Sequence, residues 1–124
     1  EEKYVDETRR MLVDYGVDDK VELRHAAITP NARGELWYDE SAMNDLRDID
    51  LLLIDGPPGK IAPMVRAGAV GFFAKRMRSG GLIVVDDANR PDEAMMVQQF
   101  CRATDAKVEL VNHAEKGVAL LRMP

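Results

Sequence analysis

Two segments of the chain, residues 51–54 and 82–85, are apolar at every position. A strand that does not alternate polar and apolar residues is usually buried on both faces, as in a parallel sheet. Between these segments, apolar residues recur at helical spacing from 60 to 78, and Ser79, Gly80 and Gly81 then predict the end of that helix. The pattern therefore predicts a right-handed strand–helix–strand unit.

The rest of the chain continues this alternation of helices and strands. Helical spacing occurs at residues 2–15 and again after Pro91, which suits a first helical turn. Residues 21–24 alternate and predict a short strand, whereas the polar stretch 29–40 predicts a loop.

The end of the chain predicts a strand pair. Residues 107–111 and 118–121 are strand-like, and the six residues between them are too few for a crossover helix, so we expect antiparallel pairing. Together these patterns predict an α/β fold with a mostly parallel sheet that ends in an antiparallel strand pair.

Composition narrows the class of protein. The 124 residues suggest one domain, and 22 acidic against 17 basic residues give a net charge of −5. This charge does not favour a nucleic-acid partner, and the short apolar runs predict no membrane span. The single cysteine, Cys101, excludes an internal disulfide and indicates a reducing, cytoplasmic setting.

Acidic residues follow both apolar strands: Asp55 follows the first, and Asp86 and Asp87 follow the second. Because neighbouring parallel strands end at the same rim of a sheet, where ligands bind in such folds, we expect these carboxylates to lie close together. They could hold a hard cation such as magnesium or accept a proton from a substrate. Aspartates after strands also begin turns and cap backbone amides, and both interpretations stay open.

The two histidines are ambiguous. His113 lies in the connection between the last two strands, which can overhang the same rim, so it is a candidate general base. His25 follows the early strand and is similarly placed. A solvent-exposed loop histidine is the alternative interpretation of each.

Three stretches in this order resemble a known family: DLLLIDGPPG at 50–59, GGLIVVDD at 80–87 and EKGVALLR at 115–122. The order resembles the class I S-adenosylmethionine-dependent methyltransferases, and looks closest to their small-molecule O-methyltransferase branch. This resemblance implies a Rossmann-like fold in which residues 1–124 form the C-terminal two thirds of the domain. The family's first strand and glycine-rich cofactor loop would then lie upstream of residue 1.

The resemblance also implies roles for the rim residues. Asp55 matches an acid near the methyl donor, so it would contact the cofactor and the reacting groups, and Asp87 or Asp86 matches the acid that some relatives use for a divalent metal. The implied metal ligands are Asp55, Asp86 and Asp87, although Ala88 stands where the metal-dependent relatives have asparagine.

The remaining implied roles concern the methyl acceptor and the adenine of the cofactor. Asp87 or His113 would deprotonate the acceptor, which would be a small molecule. His25 and Ala26 stand near the position from which the family contacts adenine. Their backbone groups, or the imidazole, would serve there.

Other classes of function compete with this one. A sheet without its first strand exposes unpaired edges, so the chain could be a non-catalytic α/β fragment that forms a homodimer through them. A phosphoacceptor receiver domain also gathers acids at a strand rim. However, receivers carry the paired acids on their first strand and a lysine at the end of the fifth, which this sequence does not match.

Overall fold

A computed structural model of the chain describes residues 2–112 and 114–124. Its helices and strands, in chain order, are α1 (Glu2–Asp14), β1 (Ile28–Pro30), β2 (Leu36–Tyr38), β3 (Ile49–Ile54), α2 (Gly68–Phe73), β4 (Met77–Asp86), α3 (Pro91–Thr104), β5 (Lys107–Asn112) and β6 (Val118–Arg122). Two short 3₁₀ helices, Glu40–Met43 and Val65–Ala67, precede β3 and α2.

The main sheet has four strands in the order β3-β4-β6-β5. β3 and β4 are parallel, as predicted, and β5 and β6 are antiparallel, also as predicted. β6 also pairs antiparallel with β4, so the sheet is mixed within the residues described. Three of the four strands, β3, β4 and β5, run in the same direction and β6 runs against them, which agrees with the expected mostly parallel sheet that ends in an antiparallel strand pair.

The hydrophobic core lies on one face of this sheet. Ile83, Val85 and Leu121 face Phe72 from α2 and Phe100 from α3, and all five side chains are almost completely buried. The α3 helix was predicted to begin near Pro91, and the structure confirms this, with Asp92 and Glu93 in its first turn. Burial of these large apolar side chains is the main source of stability for the fold.

The opposite face of the sheet is apolar but largely uncovered. The strand register places Leu53, Val84, Leu120 and Leu110 in one row across all four strands. Leu53 is 64% exposed and Leu110 is 56% exposed. A row of this kind is expected to be covered by other structure in a stable α/β fold.

The long helix predicted from 60 to 78 is wrong. The segment instead contains the 3₁₀ turn Val65–Ala67 and the six-residue helix α2, and β4 already begins at Met77. Pro63 has no N–H to donate, and glycines at 68 and 71 lower the helix propensity. The predicted helix end at 79–81 consequently lies inside β4.

The early part of the chain also differs from the prediction. Residues 21–24 form no strand, and the predicted loop at 29–40 contains the antiparallel pair of β1 and β2. Trp37 explains the second difference, since its side chain is buried at 2% exposure and packs against α2 at Gly68. Tertiary packing has thus turned a polar, loop-like stretch into a hairpin.

The first helix is confirmed close to its predicted bounds, but it contains no buried residue. Tyr4, Met11 and Tyr15 are all more than half exposed. No helix within the described ranges has both the length and the apolar character needed to cross a membrane.

Candidate active site

Three aspartates meet at the carboxyl end of the parallel strand pair. Asp55 directly follows β3, Asp86 is the last residue of β4, and Asp87 comes next with a left-handed φ of 58°. One carboxylate oxygen from each lies within 4.8 Å of the others. We refer to these three residues as the acidic rim. Topology alone accounts for their proximity, because adjacent parallel strands end at the same edge.

Arg66 lies beneath the acidic rim and connects the ends of the two strands. Its Nε donates to the carbonyl of Pro57 at 3.0 Å, and its Nη1 donates to Asp87 Oδ2 at 3.1 Å. Longer contacts of 3.4 Å reach the carbonyl oxygens of Asp55 and Asp86. The side chain is buried, with the whole residue 6% exposed, so these acceptors replace water around the guanidinium.

The buried charge of Arg66 is balanced by two buried carboxylates. Glu93, on the inner face of α3, places Oε1 3.4 Å from Arg66 Nη1, and Asp87 lies on the other side. Arg90 also reaches Asp87 Oδ2, at 2.8 Å, from a more exposed position. The other oxygen, Asp87 Oδ1, is buried without a hydrogen-bond partner among the residues that the structure describes.

Of these four residues, Asp87 is predicted from the sequence as a site residue, whereas Arg66, Arg90 and Glu93 are not. A signal for two of them was available, since Asp87, Arg90 and Glu93 follow one another at three-residue intervals across the start of a helix. Residues at this spacing share one side of a helical turn. Arg66 carried no such signal, because its place depends on a 3₁₀ turn that the sequence did not predict.

The carboxyl group of Asp55 has a raised pKa. Desolvation contributes, together with the hydrogen bond and the negative charge of Asp86, while Arg66 acts in the opposite direction. The Asp55 side chain is 64% exposed, so we attribute the effect mainly to Asp86. The pair of acids is therefore short of positive charge.

The residues at the rim fit a divalent cation. Asp55, Asp86, Asp87 and Glu93 supply four carboxylates, and Arg66 and Arg90 supply two guanidinium groups, which leaves two negative charges uncompensated. The unpaired Asp87 Oδ1 is a further oxygen in need of a partner. Carboxylate oxygens are the ligands that Mg²⁺ and Ca²⁺ prefer.

Tyr38 adds an aromatic side chain beside the rim. A methyl group on Gly56, the residue after Asp55, would lie 2.8 Å from the Tyr38 hydroxyl oxygen, so a larger residue here would displace the end of the Tyr38 side chain. Burial raises the pKa of the Tyr38 hydroxyl, with Arg66 and Asp55 acting in opposite directions. The phenol is thus a neutral group at the edge of the site.

The predicted cofactor residues His25 and Ala26 lie in the irregular segment that follows α1. His25 is exposed and lines a surface cavity of about 320 Å³ with residues of α1, including Val5 and Arg9. A second cavity, of about 390 Å³, lies between α2 and α3. The acidic rim lines neither of these two cavities. His113 falls outside the described residues.

The chain is similar to a known protein in its three-dimensional structure. No protein-family model matches the chain, and no curated protein sequence matches it. The fold is similar to the crystal structure of a methyltransferase from Geobacter sulfurreducens, with a TM-score of 0.65 and 23% sequence identity. The match covers 99% of this chain and 54% of that protein, so the chain spans about half the length of its structural neighbour. The architecture is therefore that of a known α/β fold.

Proposed function

We propose that the intact protein is an S-adenosylmethionine-dependent methyltransferase that methylates an oxygen atom of a small molecule. The observation that carries the proposal is the acidic rim at the carboxyl end of β3 and β4, in a fold that matches a solved methyltransferase over 99% of this chain. Ligands of open α/β sheets bind at this edge. Fold alone does not determine function, so the proposal depends on the rim residues.

Asp55 is the residue we assign to the reacting centre. Its side chain is 64% exposed at the end of β3 and is therefore accessible to the cofactor and the methyl acceptor, whereas the side chain of Asp87 is 5% exposed. A sulfonium carries a positive charge, and the uncompensated carboxylates of Asp55 and Asp86 would attract it. The main contribution of the protein would be to align the methyl donor and acceptor at reacting distance.

We further propose that Asp55, Asp86 and Asp87 hold a divalent metal such as magnesium. When bound, such a cation would lower the pKa of an acceptor hydroxyl and orient it. This assignment changes the role that the resemblance implies for Asp87. Arg66 and Arg90 both pair with its Oδ2, and its side chain is only 5% exposed. Asp87 is thus better suited to be a ligand than a general base.

His113 remains our candidate for the general base, and His25 with Ala26 remains our candidate for the adenine contact. What supports the second assignment is position: His25 and Ala26 precede the β1–β2 hairpin, whose Tyr38 reaches the rim at Gly56. Residues 21–26 belong to no strand, so their backbone groups would be available to a ligand, whereas the carbonyl of Ala27 accepts from the N–H of Asp39 at 2.7 Å.

Calorimetric titration of the chain tests the proposal with two ligands that differ in charge. S-adenosylhomocysteine lacks the sulfonium charge, so Asp55→Asn should weaken binding of S-adenosylmethionine more than binding of S-adenosylhomocysteine. Asp50→Asn is the matched control, because Asp50 lies in the same strand but pairs with Arg78 at 2.8 Å instead of joining the rim. Equal losses with both ligands would contradict the role of the rim.

A second candidate function is a non-catalytic α/β module that associates with another copy of the chain. The observation in its favour is the uncovered sheet face, with Leu51 and Leu53 on the edge strand β3 both more than 60% exposed. We propose a homodimer that forms through the edge strand β3 and the exposed side chains on its uncovered face. Light scattering during size-exclusion chromatography tests it, since Leu53→Lys should convert a dimer to a monomer while Lys60→Ala, on the turn after β3, should not.

A further inference from the structure

Arg66 has more polar contacts at the rim than a simple ion pair requires. On one side, its guanidinium contacts the main-chain oxygens of Asp55 and Pro57. On the other side, it contacts the main-chain oxygen of Asp86 and the carboxylate of Asp87. These groups belong to the ends of two different strands. A planar guanidinium with several fixed N–H directions can bridge them, whereas a lysine ammonium acts more nearly as a point charge.

Contacts with α3 hold Arg66 and the turn that carries it in place. The peptide N–H of Met64 donates to Asp92 Oδ2 at 2.8 Å, which attaches the turn carrying Arg66 to the start of α3. Glu93 of the same helix contacts Arg66 at 3.4 Å and is only 3% exposed. The guanidinium is therefore held from both directions in one place.

We propose that Arg66 is a positioning residue, which fixes Asp87 between the ends of β3 and β4 and so sets the three carboxylates of the acidic rim at the spacing a divalent cation requires. This inference rests on the metal site of the proposed function. Residues that hydrogen-bond to metal ligands commonly control affinity by orienting them. Arg66 would act in this way through Asp87 Oδ2, leaving Oδ1 for the cation.

Arg90 provides an internal control for charge. It lies 2.8 Å from the same Asp87 oxygen and carries the same charge, but its side chain is 45% exposed and it comes from the loop before α3. Within the described residues, the contacts to the strand-end carbonyls come from Arg66 and not from Arg90. Comparing the two arginines therefore separates geometry from electrostatics.

The two effects have opposite signs. Loss of either arginine makes the rim more negative, which by Coulomb attraction alone would strengthen cation binding. Loss of positioning would weaken it. Arg66→Lys isolates the second effect, because the charge remains while the bridging geometry is lost.

The experiment is a titration of the wild-type chain and four variants with Mn²⁺, followed by the paramagnetic resonance of the free ion. The variants are Arg66→Lys, Arg66→Gln, Arg90→Lys and Arg90→Gln, and urea unfolding establishes that each is folded. We expect Arg66→Lys to weaken Mn²⁺ binding about tenfold or more. Arg90→Lys should match the wild type, and Arg90→Gln should match it or bind more tightly.

Each other outcome overturns the inference in a recognisable way. Wild-type affinity in Arg66→Lys would show that only the charge matters, and would leave the metal site itself intact. Absence of Mn²⁺ binding by the wild type would remove the metal site and this inference together, while the titration with S-adenosylhomocysteine would still test the methyltransferase proposal. If both Arg66 variants fail to fold while the Arg90 variants fold, the role of Arg66 is structural only.

Discussion

Arg66 Nη1 lies 3.1 Å from Asp87 Oδ2, and both residues are buried, at 6% and 4% exposure. Two ions in such a setting tolerate the loss of water only because each has the other as a partner. Since Arg66 belongs to the turn before α2 and Asp87 to the turn after β4, this pair joins parts of the chain that are 21 residues apart. The pair therefore has consequences for stability as well as for the rim.

Asp87→Asn should destabilise the chain strongly. The substitution keeps the shape of the side chain but removes the charge that balances Arg66 and Arg90, and leaves the buried guanidinium with Glu93 and, at 3.7 Å, the exposed carboxylate of Asp55. Breaking one side of a buried ion pair typically costs about 3–5 kcal/mol. Urea unfolding monitored by circular dichroism at neutral pH measures this free energy.

Asp86→Asn is the natural comparison, because Asp86 is the preceding residue but its carboxyl group contacts the acid Asp55, and only its main-chain carbonyl contacts Arg66. Removing its charge eases repulsion at the rim, so its unfolding midpoint should equal or exceed that of the wild type. Equal destabilisation by the two substitutions would show that the ion pair with Arg66 is not what distinguishes Asp87.

Asp55→Asn should stabilise the chain at neutral pH and remove part of its pH dependence. A raised pKa means that the folded chain holds this proton more tightly than the unfolded chain does. Stability from this group is therefore present at low pH and is lost as the pH rises from the ordinary aspartate value, 3.8, through the raised value. Unfolding midpoints at several pH values, in the presence of a chelator, measure the effect.

The control for this experiment is Asp19→Asn, which removes a carboxylate from an exposed turn after α1. It should leave the difference between acidic and neutral pH unchanged. A gain in stability at neutral pH that is the same for both variants would indicate a general effect of net charge and not the contact between Asp55 and Asp86.

The sequence was most informative where a local pattern and the buried sheet agree. The parallel pair β3 and β4, the helix α3 and the antiparallel pair β5 and β6 follow from apolar runs, a proline at a helix start and a short connection. Their physical causes are local, or depend only on adjacent elements. For the same reason, the meeting of Asp55 with Asp86 and Asp87 was predictable from topology.

The segments that could not be predicted depend on contacts distant in the sequence. Trp37 makes a hairpin of a polar stretch by packing on Gly68, and Asp92 holds the N–H of Met64 where a continuous helix was expected. Arg66 reaches the rim only because that helix does not form. Local periodicity could therefore not predict the role of Arg66 at the site.

Gly68→Ala should destabilise the fold through Trp37. A Cβ at this position would lie 2.4 Å from the indole ring, which is buried and rigid and therefore cannot move aside cheaply. Overpacking of this kind typically costs about 1–3 kcal/mol. Thermal unfolding followed by Trp37 fluorescence, the only tryptophan in the sequence, reports directly on the affected contact.

Gly59→Ala provides the matched control, since its Cβ would meet only the Arg90 guanidinium at 3.9 Å, an ordinary contact. Its effect should stay within about 0.5 kcal/mol of the wild type. If Gly68→Ala were equally mild, the packing of Trp37 against α2 would have to be looser than the structure indicates.

Asp45→Asn should lower the free energy of unfolding at neutral pH, and its difference from the wild type should become smaller in acid. Hydrogen bonds from Arg24 at 2.5 and 2.7 Å, together with its charge, lower the pKa of Asp45 to about 2. A lowered pKa gives stability that is present above pH 3.8 and is lost as the pH falls toward about 2.

The ion pair of Arg24 and Asp45 connects the irregular segment 21–27 to the region before β3. The loss of stability in Asp45→Asn should therefore exceed that in Asp6→Asn, because Arg9, the partner of Asp6, lies on the same turn of α1. Urea titrations of both variants between pH 2 and neutrality measure the two differences. An unchanged Asp45→Asn difference at all pH values would show that the carboxylate charge is not the source of the stabilisation.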